Sequence, residues 1–156
     1  MEIIKDKVTT IKDEDFCLFM IGMRINKIWK FHKWIPIFIQ MAKMLRELER
    51  NKSIGCLGGN YWFGRNIICI QYWRSFEYLE SFAKSRDYSH LPTWQKFIQR
   101  IGTNGDVGIW HETYKVKKGS YENIYVNMPP FLLGKIGNLY KITSSNNSGR
   151  KRMNHT

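Results

Sequence analysis

The side chain best placed to do chemistry is His111. It stands between Trp110 and Glu112 in the run Gly108-Ile109-Trp110-His111-Glu112-Thr113-Tyr114, and an imidazole can move protons near neutral pH. A hydrogen-bonded structural histidine is the competing reading. Along an extended chain Glu112 points to the opposite face from His111, so it is expected to pair with a base such as Arg74 or Arg24 rather than orient the imidazole. Arg24 and Arg74 end apolar runs, where a guanidinium can hold an oxyanion or carboxylate at a pocket rim. Asn26 borders the same place. Trp73, Trp110, Tyr72, Tyr114 and Tyr125 can stack on a planar molecule, although core packing is the commoner fate of any one ring.

Other chemistries find little support in the residue spacing. Cys17, Cys56 and Cys69 form no Cys-x-x-Cys pair and no His/Cys pattern suited to zinc. All three sit in apolar runs and are expected to be buried free thiols, which fits a reducing compartment. Gly55, Gly58 and Gly59 lack the dinucleotide-binding spacing, and no phosphate loop, serine elbow or paired carboxylate site is visible. No metal site is expected.

The 156 residues carry a net charge of +12, and its distribution matters more than its size. Residues 1–15 are acidic, residues 24–52 hold eight bases against two acids, and residues 141–156 hold four bases and no acid. Such a balance favours anionic partners without choosing among them. His32 lies among Trp29, Phe31 and Trp34, interleaved with Lys27, Lys30 and Lys33. That mixture suits a membrane interface, and it equally suits a dimer contact or a pocket lid. Rings and bases can also stack on single-stranded nucleic acid, but no recognised nucleic-acid motif accompanies them. The N-terminus lacks the apolar core of a signal peptide, and no uncharged apolar run reaches the ~20 residues of a spanning helix. A cytoplasmic protein is expected.

These side chains need a scaffold. At 43% apolar and 15% aromatic residues, the chain is rich enough to bury a core. One domain is expected over residues 1–142, followed by a disordered basic tail over 143–156. Residues 15–23 form a nearly continuous apolar run and are predicted to be a buried strand. Residues 26–50 predict helix, with Asn26 capping a short first turn, Pro36 in the first turn of the main helix and a buried stripe of Ile37, Phe38, Met41, Met44, Leu45 and Leu48. The glycine-rich stretch 51–64 predicts a bulged strand, and residues 67–73 a strong one. Ser75 is expected to cap a helix containing Phe76, Leu79, Phe82 and Ala83, and a further helix is expected over residues 89–101. Residues 107–116 predict a strand with Val107, Ile109, His111 and Thr113 on one face and Trp110, Glu112, Tyr114 and Val116 on the other. A last strand is expected over 121–126.

The order is that of a ferredoxin-like α+β sandwich, one antiparallel sheet with helices on one face. Rings on both faces of two strands argue against a wet far face. Dimerisation sheet to sheet would cover it and leave a pocket between sheet and helices.

Several blocks then carry a family resemblance: Trp29-Lys30-Phe31-His32-Lys33-Trp34-Ile35-Pro36, Gln71-Tyr72-Trp73-Arg74-Ser75, Ser89-His90-Leu91-Pro92 with Trp94, residues 108–114, and Tyr125 and Asn127 before Met128-Pro129. Over about residues 15–140 the chain resembles the monooxygenase-like family named for a fungal fumagillin-pathway enzyme. That family belongs to the dimeric α+β barrel superfamily, near the antibiotic-biosynthesis monooxygenases. The resemblance implies a homodimer and a monooxygenase-like oxidoreductase acting on a small hydrophobic or aromatic molecule without flavin or metal. His111 would take a proton from a phenol-like or enol-like substrate so that the carbanion meets oxygen directly, with Arg74 or Arg24 holding the anion. Trp73, Trp110, Tyr72, Tyr114, Tyr125, Asn127 and Asn26 would line the substrate site. Haem-degrading members of the superfamily carry an iron-binding histidine near the position of His90, so haem held by His90 or His111 is the alternative, and storage of apolar ligands without turnover is the third. Where the family pattern has Phe-Gly-Leu-Gly, this chain has Phe131-Leu132-Leu133-Gly134, a departure at a tight turn.

Overall fold

A computed structural model describes residues 2–85, 99, 102 and 104–154. Ten residues, Phe16–Ile25, all buried or half-buried except Arg24, form the central strand β2; the preceding strand β1 is Val8–Ile11. Helix α1 spans Phe31–Arg50, strand β3 Cys56–Trp62, strand β4 Asn66–Trp73 and helix α2 Phe76–Lys84. Strand β5 is Val107–Val116, strand β6 Asn138–Lys141 and the short helix α3 Gly149–Asn154. The main sheet has the order β3-β4-β2-β5, every pair antiparallel. With α1 after β2 and α2 after β4, this is the expected ferredoxin-like arrangement.

The period-2 pattern of the strands sorts side chains between two faces. On the helix face the core falls into two clusters. Cys17, Trp73, Leu79 and Phe82 pack with Leu48 and Ile54 at one end. Met23, Ile25, Ile67 and Val107 pack under Ile37 of α1 at the other. The far face is covered at one end by the chain itself, where Phe16 and Tyr72 meet Leu133, with Val116, Tyr121 and Ile136 around them.

Five expectations need correction. Asn26 does not cap α1, because its Nδ2 donates to the Gly105 carbonyl at 3.0 Å, and the helix starts at Phe31. Pro36 therefore lies inside the helix rather than in its first turn, and its missing N–H leaves the His32 carbonyl without an i+4 partner. Residues 121–126 form no continuous strand. Tyr125 instead makes a single bridge with Val8, and the extra two-stranded sheet pairs β1 with β6. The tail folds back: in α3, Arg152 is buried, and its Nε donates to Glu122 Oε1 at 2.7 Å. A buried guanidinium held by a carboxylate is what ties this basic segment down. Finally, Cys17 and Cys69 are buried free thiols, but Cys56 is only half-buried. The helix expected over 89–101 lies outside the described residues apart from position 99. The bulge expected in the glycine-rich strand is found between Cys56 and Gly58.

Candidate functional site

Between the two helix-face clusters lies a stretch of sheet that neither α1 nor α2 fully covers. Phe19 and Ile21 of β2 supply its floor, and antiparallel register sets Thr113 opposite Phe19 and His111 opposite Ile21. Gln71 and Trp73 continue the floor on β4. Phe76, Leu79, Glu80, Phe82 and Ala83 of α2 form one wall, with Met44 of α1 at the edge. The groove so bounded has a volume of about 390 Å³, within the ~300–1,000 Å³ range of small-molecule sites. Its lining is apolar apart from the imidazole, the Gln71 amide, the Thr113 hydroxyl and Glu80.

His111 faces this groove, on the face expected for it. Its ring centroid is 5.9 Å from that of Phe19, and the residue is exposed. The hollow, bounded by the described residues, is thus a groove open on one side rather than an enclosed pocket. That geometry lets one imidazole touch both an apolar ligand and water, through which a proton can leave. Trp73, fully buried, lines the inner end. Its ring lies 5.4 Å from Phe82, and its indole N–H donates to Gln71 Oε1 at 3.0 Å. Gln71 Nε2 in turn points at Cys69 Sγ, 3.5 Å away. Burial pushes the Cys69 thiol up to about 11, so it sits here as a neutral, inert group.

The other nominated residues are not brought to His111. Arg24 projects from the far face, since its neighbours Met23 and Ile25 face the helices, and its guanidinium donates to Asn66 Oδ1 at 3.0 Å. Arg74 follows β4 and stacks over Tyr78 at 5.9 Å. Neither lines the groove. Tyr72, Trp110 and Tyr114 lie on the far face. Tyr72 is packed against Phe16, and burial pushes its hydroxyl up to about 12. Tyr114 donates to Glu112 Oε2 at 2.6 Å, so Glu112 has a tyrosine as its partner where a base was expected. Trp110 lies over Gly22 so closely that a Cβ there would stand 2.4 Å from its indole nitrogen. Tyr125 accepts the Gly134 N–H at 3.0 Å in the segment covering the far face, and Asn127 takes a left-handed backbone conformation, φ 53°, in the same segment. Asn26 secures the Gly105 carbonyl as described. His90 lies outside the described residues.

Gln71 is the groove residue that the sequence flagged only as part of a motif. The available signal was one amide in the middle of the apolar run Ile67-Ile68-Cys69-Ile70-Gln71-Tyr72-Trp73, a position that buries a polar group and so demands partners. Among the described residues no three His, Cys, Asp or Glu side chains cluster to hold a metal ion. No helix among them is long and apolar enough to cross a membrane.

Comparison with known proteins follows the same lines. Two aldoxime dehydratase structures superpose on most of the chain. One, in complex with butyraldoxime, gives a TM-score of 0.67 at 16% identity, covering 83% of this chain and 41% of the dehydratase. The other gives 0.66 at 19% identity, covering 87% and 42%. At those identities the likeness establishes the fold, a dimeric α+β barrel type. In sequence the chain is similar to monooxygenase af470 of Aspergillus fumigatus, 37% identical over 94 residues, which cover 56% of this chain and 33% of the relative. The chain thus spans about a third of that relative's length. A sequence model described as monooxygenase af470-like matches residues 16–133, from the first residue of β2 through the groove to the far-face cover, and the chain belongs to that monooxygenase af470-like family.

Proposed function

We propose that the protein is a monooxygenase-like oxidoreductase whose groove takes a small hydrophobic or aromatic molecule, with His111 as the base and no flavin or metal. The observation that supports this reading is the placement of one imidazole over an apolar floor of Phe19, Ile21 and Trp73. An apolar lining lowers the local dielectric and favours spreading the substrate's charge over a conjugated ring rather than leaving it localised. The Thr113 hydroxyl is the donor that faces such an anion, with the Gln71 amide committed to Cys69 and Trp73 behind it. His111 takes a proton from a substrate methylene made acidic by a neighbouring carbonyl or phenol. The carbanion gives its electron pair to dioxygen in forming a C–O bond, the imidazolium returns a proton to the peroxide, and loss of water leaves a carbonyl. One oxygen atom ends in the product and the other in water.

The test is oxygen uptake by the purified protein with an added cyclic ketone–phenol substrate. His111→Ala should lower kcat/KM by about 10²–10⁴-fold, the range of a lost general base. Uptake unchanged by that substitution removes His111 from the chemistry. A protein that binds the compound without consuming oxygen would be a carrier. A Soret band in the purified protein would move the reading to haem, for which His111 is the candidate ligand facing the groove and His90 the alternative. A homodimer through the far face, where Trp110 and Tyr114 stand, is part of the same proposal and is read by sedimentation.

A further inference from the structure

One end of the sheet gathers exposed rings and cations in a way the groove does not use. After β2 the chain makes a tight turn, Lys30 N–H to the Lys27 carbonyl at 3.1 Å. Its two central residues, Ile28 and Trp29, are 57% and 70% exposed, and Phe31, next along, is 60% exposed. The turn is held rigidly. Trp34 Nε1 donates to the Ile28 carbonyl at 3.0 Å, and the backbone N–H groups of Asn26 and Lys27 both donate to the Asp106 carbonyl. Beneath it, Lys27, Lys30 and Lys33 converge on the buried Asp106 carboxylate at 2.9, 2.8 and 2.7 Å.

The neighbouring β3–β4 turn adds to the patch. Register sets Arg24 opposite Asn66, which brings Phe63, 57% exposed, and Arg65 to the same end of the sheet. Arg65 Nε reaches the Ile25 carbonyl at 3.4 Å. No Asp or Glu occurs in the sequence over residues 16–46 or 56–76. Asp106 neutralises one of three ammonium groups, and each lysine retains donors beyond the one it spends on the carboxylate.

The geometry points to a docking site for an anionic phospholipid surface: Ile28, Trp29 and Phe31 enter the headgroup layer while Lys27, Lys30, Lys33 and Arg65 face its phosphates and carboxylates. A convex turn tip is a wedge, suited to a deformable surface rather than to a complementary groove. An exposed indole is most stable where one side is apolar and the other wet. Clustered cations gain energy near a negatively charged leaflet. Because internal hydrogen bonds and ion pairs already fix the turn, docking costs little ordering entropy.

Flotation of the full chain with phosphatidylcholine vesicles, with and without phosphatidylserine, tests this. Binding is expected to the anionic vesicles, to fall several-fold as salt is raised, and to drop about tenfold or more in Trp29→Ala and again in Phe31→Ala. Both side chains are largely exposed, so folding measured by circular dichroism should be unchanged. Equal binding to pure phosphatidylcholine, absence of binding to either vesicle, or a Trp29→Ala protein that binds like the original would each overturn the proposal. So would loss of self-association in Trp29→Ala with vesicle binding intact, which would assign the patch to a second copy of the chain.

Discussion

The Trp73–Gln71 pair offers the sharpest stability test, because its two partners are buried and joined by one hydrogen bond. Trp73 is fully buried and Gln71 is 2% exposed; the indole N–H meets Gln71 Oε1 at 3.0 Å. Gln71→Leu keeps the volume and removes the acceptor. The orphaned indole N–H then costs about 1–3 kcal/mol, offset in part by the relief of burying an amide, about 1 kcal/mol or more. A net loss of about 1–2 kcal/mol is expected, which for a chain of this size lowers Tm by roughly 2–8 °C. Trp73→Phe shrinks a ring packed on Phe82 and leaves the amide oxygen unpaired, a further loss of about 1–3 kcal/mol. In the double variant neither orphan remains. Its loss should therefore be smaller than the sum of the two by about 1–2 kcal/mol, well outside the ~0.5 kcal/mol scatter of independent sites. Urea unfolding of the four proteins, compared at equal m-values, measures this. Strict additivity would refute the claim that the hydrogen bond, rather than packing alone, fixes the inner end of the groove.

Two further outcomes follow from single residues. Hydrogen bonds from Lys30, Lys33 and Lys27 hold the Asp106 carboxyl well below the usual carboxylate range. Its folded-state pKa is depressed, so its contribution is present above the unfolded value near ~4 and is lost as pH falls below it. Asp106→Asn should unfold more readily at neutral pH and lose less additional stability between pH ~5 and ~2.5 than the parent; parallel acid-unfolding curves would sink this. Leu132 has φ 49°, where a side chain costs about 1–2 kcal/mol and glycine costs none. Leu132→Gly should therefore be more stable than Leu132→Ala by about 0.5–1 kcal/mol, the reverse of the order at ordinary positions, and thermal unfolding that ranks alanine higher would refute it.

The sheet was legible because strands announce themselves by composition. Residues 15–23, 67–73 and 107–116 hold enough apolar, aromatic or β-branched residues to predict β2, β4 and β5 within a few residues, and alternation placed His111 and Thr113 together on one face, the one that the groove occupies. The bulge in β3 was legible for a different reason, since a cluster of glycines gives a strand nothing to pack and the register shifts there. What alternation could not settle was what covers each face. Tyr72 and Trp73 are neighbours that look equally suited to a ligand. Yet one lies under Leu133 on the far face and the other beside the groove. The cover itself, residues 121–136, reads as a strand followed by a proline stop, and becomes an irregular strap because its hydrogen bonds run to β1 instead.

Legibility failed most where chemistry depends on long-range charge. Asp106 stands in the sequence beside Gly105 with nothing to mark a partner, and Lys27, Lys30 and Lys33 read as an exposed mixture of bases and rings. Only the antiparallel return of β5 beside β2 sets the start of one strand against the end of the other and brings all four charges together. Burying a carboxylate is unfavourable unless cations surround it, and three do so here. That single acid fixes both the turn that exposes Ile28 and Trp29 and the entry of β5, seven residues before the alternation reaches Thr113 and five before it reaches His111. The same contact thus sets the register that carries His111 to the groove and the shape of the proposed membrane wedge. Loss of the carboxylate should disturb both together, whereas Trp29→Ala should spare the groove.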